Sequence, residues 1–159
     1  MATRPQLTRH DAGDPAVVDE VLRELPAWFG IEAAIRDYAE HAGHSPTYTA
    51  TIDDEVAGVL VLSSHGPMSA EHHVLAVRPA WHRRGIGRAL VAAAERDLAA
   101  AGVAFLQVKT LGASHPDPHY ELTRRFYLDV GYTPLEEHAA DTLWDGNPCL
   151  VLVKHLTCA

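Results

Sequence analysis

Between Val77 and Leu90 the chain reads Val-Arg-Pro-Ala-Trp-His-Arg-Arg-Gly-Ile-Gly-Arg-Ala-Leu, and this segment constrains the fold more than any other. A β-rich run stops at Arg78-Pro79, a basic turn with two glycines follows, and an amphipathic helix begins at once. Backbone N–H groups at a helix start lack intrahelical partners and sit at the positive end of the helix dipole. Gly85 and Gly87 let a ligand approach that backbone, and Arg83, Arg84 and Arg88 add positive charge. These parts together predict a phosphate site at a strand-to-helix junction. Spacing excludes two familiar ligand loops. A Walker loop needs four residues between its glycines and then Lys-Ser/Thr, and a dinucleotide fingerprint needs a third glycine where Leu90 stands.

The order of elements around this junction predicts a mixed α/β layer domain with a largely antiparallel first half. A weak strand is expected at Gln6–Arg9. Asp14-Pro15 reads as a helix start, with Val17, Val18, Val21, Leu22 and Leu25 at helical spacing until Pro26. Ile31, Ala34, Ile35, Tyr38 and Ala39 form a second helical stripe. The period then changes to two: Thr47–Ile52 and Val56–Leu62 flank Asp53-Asp54-Glu55 as a hairpin, and Ser69–Val77 is the third run. A helix from about Gly85 to Ala101, closed by Gly102, follows the basic turn. Next come a strand at Val103–Lys109, a helix at Tyr120–Val130 ended by Gly131, and a late strand at Cys149–Lys154. Nothing in the 159 residues resembles a repeat or a long linker, so one domain is expected.

Charge and cysteine usage narrow the partners. The net charge of −8 disfavours nucleic acid, whose binding needs a cationic face, and it is compatible with a cationic small molecule or a basic peptide. No apolar run approaches a membrane span, and MATRPQLTRHDAGD has no signal-peptide centre. Cys149, within an apolar run, and Cys158 on the tail read as reduced thiols of a cytoplasmic protein, Cys149 as a small buried hydrophobe.

His82-Arg83-Arg84-Gly85-Ile86-Gly87, after a strand ending Val-Arg-Pro, resembles the pyrophosphate motif of the GNAT acetyltransferase superfamily, Gln/Arg-x-x-Gly-x-Gly/Ala. His82 departs from it, standing where Gln or Arg is usual. The element order is similar over nearly the whole chain. The resemblance implies a mainly antiparallel central sheet flanked by helices, with acetyl-CoA as co-substrate held by residues 82–88. A bulge in the preceding strand would let the pantetheine arm lie along Leu75-Ala76-Val77, with backbone groups of Leu75 and Val77 facing it. The Leu75 N–H would then polarise the thioester carbonyl.

The same resemblance implies an acid and a base. Glu71, six residues before Val77, stands at the offset of the general base in histone-acetylating members. An aliphatic amine is only about one part in a thousand neutral at pH 7, so a base has work to do. His73, two residues on and on the same strand face unless a bulge intervenes, is the second candidate by its pKa. For both, an ordinary strand residue is the alternative. Glu121–Tyr132 resembles the family segment whose tyrosine sits beside the coenzyme sulfur, which matches Tyr127 as acid for the leaving thiolate. Tyr120 falls where an asparagine is often found.

The acceptor pocket is expected from Trp28, Phe29 and Glu32 at the joint between the first two helices, with Glu71 and Trp144. The Leu111–His119 loop is expected to shape one wall; His115, Asp117 and His119 on a proline-broken loop make a poor metal cage, and no metal is expected. The function so implied is acetyl transfer to an amine of a small molecule or peptide, by direct transfer. The alternative is a non-catalytic acyl-CoA-binding regulatory module, and retention of Glu71 and Tyr127 speaks for the enzyme. A homodimer is compatible with the resemblance.

Overall fold

A computed structural model describes residues 3–157. Strand β1 (Gln6–His10) leads to helices α1 (Pro15–Arg23) and α2 (Glu32–Ala42). Strands β2 (Thr47–Ile52), β3 (Glu55–Gly66) and β4 (Ser69–Val77) follow, then a short 3-10 turn at Pro79–Trp81 and helix α3 (Ile86–Ala100). The chain ends through β5 (Phe105–Leu111), α4 (Pro118–Asp129), β6 (Thr133–His138) and β7 (Cys149–His155). The seven strands form one sheet in the order β1-β2-β3-β4-β5-β7-β6, antiparallel everywhere except between β4 and β5.

Local chemistry accounts for the boundaries. The Asp14 carboxylate accepts the Ala16 N–H and Pro15 opens α1. The β2–β3 turn is two residues long, and Asp53 and Asp54 both take the left-handed conformation that matches the twist of a tight hairpin. Gly102, at φ +88°, follows the end of α3.

Helices α1 and α2 cover one face of the sheet: Val18, Val21, Leu22, Ile35 and Ala39 pack on Val59, Val61, Val74 and Ala76. Helix α3 covers the other, with Ile86, Leu90 and Ala94 on Tyr48, Leu60 and Leu62. Its far side joins α4 over Leu106, Val108 and Leu152. Arg78 is buried where strand β4 ends: its guanidinium binds the Val56 carbonyl, Glu20 and Glu24, so it anchors α1 to the sheet.

Four expectations need correction. Strand β6 was not anticipated, because Thr-Pro-Leu-Glu-Glu-His is an edge strand with almost every residue exposed and no apolar alternation to reveal it. Strand β3 runs on to Gly66 through polar Ser63-Ser64-His65. Helix α4 begins at Pro118, since Asp117 is its N-cap and accepts the His119 and Tyr120 N–H groups. Ile31 caps α2 and is exposed, not part of its buried stripe. Cys149 is buried with a free thiol; Cys158 lies outside the described residues. Among the described residues no helix is long and apolar enough to cross a membrane.

Candidate active site

Strands β4 and β5 pair only from Ser69–His72 against Phe105–Val108, although both continue beyond. A bulge in β4 coincides with the point where they part. Val61 faces Val74 and Leu62 faces His72, leaving His73 as the extra residue. The bulge and the lost pairing free one edge of β4 over Val74–Val77. A cavity of about 780 Å³ opens there, lined by both strands, the basic turn, α4 and the α1–α2 joint.

The basic turn forms the mouth of this cavity. Gly85 precedes α3 with φ +78°, and its added Cβ would meet nothing but would strain the backbone. Arg83 is also left-handed, at φ 59°, so the turn bends sharply just before α3. Gly87 lies against Phe126 of α4; a Cβ there would stand 3.3 Å from that ring, which keeps α3 and α4 in close contact. Arg83, Gly85, Ile86, Gly87 and Arg88 line the cavity, whereas Arg84 stacks over Trp81 outside it. His82 lines the cavity too, and its Nε2–H donates to the Val77 carbonyl at 2.6 Å, closing the turn.

Further in, Tyr127 is buried among Phe126, His72 and Tyr132. Its hydroxyl has no hydrogen-bond partner among the described residues, and burial raises its pKa, so it stays protonated near neutrality. Tyr120, in the place of the expected asparagine, donates its hydroxyl to the Trp28 carbonyl at 2.7 Å. Trp28 Nε1 donates to Thr123, and its ring meets His82 and His119 edge-on. The α1–α2 joint is thereby pinned onto α4 as a roof.

On the face toward α2, Glu71 and His73 stand together as expected, with His72 on the opposite face. They differ in access. His73 lines the cavity, beside Tyr38, while Glu71 is buried behind it. One oxygen of Glu71 receives Gln107 at 2.7 Å, His65 at 3.2 Å and Lys109 at 3.2 Å. Burial raises the Glu71 pKa, but the Gln107 hydrogen bond and the Lys109 charge outweigh it and hold the carboxyl below its usual range. Burial and the neighbouring His41 push the His73 imidazole down to about 4.

The remaining predicted residues divide. Phe29, Trp144, Leu75, Ala76 and Val77 line the cavity. Glu32 does not: it lies exposed on α2, bonded to Arg23 at 2.8 Å and Arg36 at 3.2 Å. Asp117 caps α4 and His119 packs on Trp28, which gives both a structural use.

Sequence reasoning missed His72, Tyr38, Lys109 and Thr110, all on the cavity wall. Only the His72-His73 doublet carried a signal. His72 is fully buried, and burial lowers its pKa to about 3. Its Nε2–H donates to the Tyr132 hydroxyl at 2.7 Å; Tyr132 donates to Glu95 at 3.0 Å, and Glu95 binds Lys154 at 2.8 Å. That chain leaves His72 Nδ1 as a lone-pair acceptor without a partner, and the Thr110 hydroxyl is unpaired too. Unpaired buried polar groups cost free energy, and two of them belong to residues of this cavity wall.

A family model for the acetyltransferase (GNAT) domain matches residues 43–134, more than half of the chain, and the chain belongs to that family. The fold is shared with solved structures of low sequence identity. A GNAT-family protein from Desulfovibrio desulfuricans superposes with TM-score 0.79 at 23% identity, covering 96% of this chain and 99% of that one. A GNAT acetyltransferase from Elizabethkingia anophelis, solved with acetyl-CoA bound, gives 0.74 at 17%, covering 96% and 99%. The ribosomal-protein-S18-alanine N-acetyltransferase of Escherichia coli gives 0.73 at 16%, covering 97% and 96%. No curated protein sequence matches significantly.

The residues present fit acetyl-CoA. Its pyrophosphate matches the arginine-bearing turn, and its amide arm, with both donors and acceptors, matches the backbone edge of β4 that β5 leaves unpaired. When bound, the coenzyme supplies an acetyl group activated as a thioester.

Proposed function

We propose that this acetyltransferase is an N-acetyltransferase, passing the acetyl group directly from acetyl-CoA to an amine of a small molecule or peptide in the cytoplasm. The observation that carries the reading is one cavity holding the anion-binding turn at one end and a neutral imidazole and a free tyrosine hydroxyl within. Tyr127 is the acid for the departing sulfur. Its hydroxyl is protonated and unengaged, so it can hydrogen-bond the developing thiolate, whose conjugate thiol has a pKa of roughly 8.5, and hand over its proton as the sulfur departs. For the base, Glu71 and His73 divide the work. His73, neutral and on the cavity, takes the proton from the amine, while Glu71 holds Lys109 and lends negative potential to the imidazole. Trp28, Phe29 and Trp144 supply apolar walls for the acceptor. The N-acetyltransferase named among the structural neighbours supports an amine as the acceptor class.

Two measurements test the reading. Acetyl-CoA at a hundredfold excess over its Kd should stabilise the fold by about 2.7 kcal/mol, seen as a rise in Tm. Thiol release from acetyl-CoA should then accelerate with at least one of spermidine, 2-phenylethylamine, kanamycin or an alanine-terminated peptide. A Tm shift without thiol release would favour the regulatory acyl-CoA-binding module instead.

A further inference from the structure

We propose that Ser63 and His41 extend His73 into a proton relay that carries the acceptor amine's proton from the cavity to solvent. Ser63 Oγ of β3 lies 2.8 Å from His41 Nε2 and 3.2 Å from His73 Nδ1, so one hydroxyl bridges two imidazoles. The rings stack with centroids 3.7 Å apart and planes 24° from parallel. His73 faces the cavity; His41, in the last turn of α2, is partly exposed. The inference rests on the N-acetyltransferase reading and adds residues outside the cavity wall to it.

Ser63 has one proton to give, so it donates to one ring and accepts from the other, and the relay uses one of these two assignments. With Nδ1–H of His73 donating to Ser63, and the Ser63 hydroxyl donating to His41 Nε2, the His73 Nε2 lone pair is left free for the cavity. As the amine nitrogen bonds to the acetyl carbon, the carbon–sulfur bond breaks and sulfur takes the Tyr127 proton. The amine's N–H proton passes to His73 Nε2. The Nδ1 proton then moves to Ser63, and the Ser63 proton to His41, which loses its Nδ1 proton to water. The hops leave both rings in the opposite tautomer, and after product release they run in reverse. His73 Nε2 loses its proton to water in the emptied cavity, Ser63 returns one to His73 Nδ1, His41 Nε2 returns one to Ser63, and water reprotonates His41 Nδ1. Tyr127 recovers its proton from solvent, so the sum is amine plus acetyl-CoA to amide plus free coenzyme A.

The surroundings give the relay its direction. His73 faces Tyr38 and His41 from α2, Ser63 and His65 from β3, Glu71 on its own strand and Lys109 from β5. Burial, His41, Lys109 and His65 all disfavour a charge on His73, against Glu71 alone. Charge on one of two imidazoles stacked at this distance disfavours charge on the other, so the extra proton leaves by the exposed ring.

Ser63→Ala cuts the bridge and leaves both histidines; Ser63→Thr keeps a hydroxyl. NMR of the imidazole nitrogens in the whole free protein at pH 7 should find His73 protonated on Nδ1 and His41 with Nε2 as acceptor. The His73 Nδ1–H preference should be lost in Ser63→Ala and restored in Ser63→Thr. With whichever amine of the panel is acetylated, Ser63→Ala should lower kcat/KM about tenfold or more near pH 7, within the usual range of acid–base contributions. The deficit should shrink at high pH, the acetyl-CoA Kd should not change, and Ser63→Thr should recover the rate. His73 protonated on Nε2 at pH 7, or the same tautomer preference in Ser63→Ala as in the wild type, overturns the relay whether or not an acceptor is found. An unchanged pH profile in Ser63→Ala also overturns it. Absence of both the acetyl-CoA Tm shift and thiol release counts instead against the N-acetyltransferase reading.

Discussion

The acid role proposed for Tyr127 rests on what its side chain lacks. A buried tyrosine normally finds a partner for its hydroxyl, and this one has none among the described residues while it lines the cavity. Tyr127→Phe removes only that hydroxyl from a site packed by Phe126, His72 and Tyr132. We expect kcat to fall by about 10²-fold or more with the acetyl-CoA Kd nearly unchanged; wild-type turnover in this variant would make Tyr127 a packing residue. The position of Tyr127 was legible from its segment. The division between Glu71 and His73 was not. Both were readable as strand residues two apart, but which one meets the cavity depends on Gln107, Lys109 and His65, and two of these lie on β5, far away in the chain.

At the scale of elements, the turn before α3 is the part that sequence describes best, because an anion site at a helix start is a local device. Gly85 requires a left-handed backbone and Gly87 a close approach to Phe126, and neither tolerates a carboxylate facing a pyrophosphate. Gly87→Asp should therefore abolish the acetyl-CoA-induced rise in Tm, by charge repulsion and by pushing α4 away. A full shift in this variant would move the pyrophosphate elsewhere. Strand β6 is the opposite case. Its exposed, proline-containing sequence carries no periodicity, and it is a strand only because β7 offers it an edge.

The whole molecule carries two depressed histidines on opposite faces of one strand, and this shapes its acid stability. Relative to an ordinary imidazole pKa of about 6.5, His72 sits at about 3 and His73 at about 4 in the fold, so the unfolded chain binds more protons between those values. The stability they confer is complete above pH 6.5 and is lost as pH falls toward the folded values. His72 alone should cost about 2 kcal/mol at pH 5 relative to pH 7. Urea unfolding at the two pH values checks this, and equal stabilities would show that water or a relaxed fold solvates the rings. Glu71, held below its usual range, adds its own loss only at lower pH, below about 4.5. By itself the sequence determined the order of most elements, the basic turn, the matching tyrosine and the mainly antiparallel sheet. All of these rest on local spacing: helix caps, two- and three-to-four-residue periods, and glycines where the backbone must bend. Only the tertiary structure decided the parting of β4 from β5, the pairing of Glu71 with Lys109, the removal of Glu32 to the surface and the meeting of His41, Ser63 and His73. Those contacts join residues distant in the chain, and their register follows from packing both faces of the sheet, which no local pattern encodes.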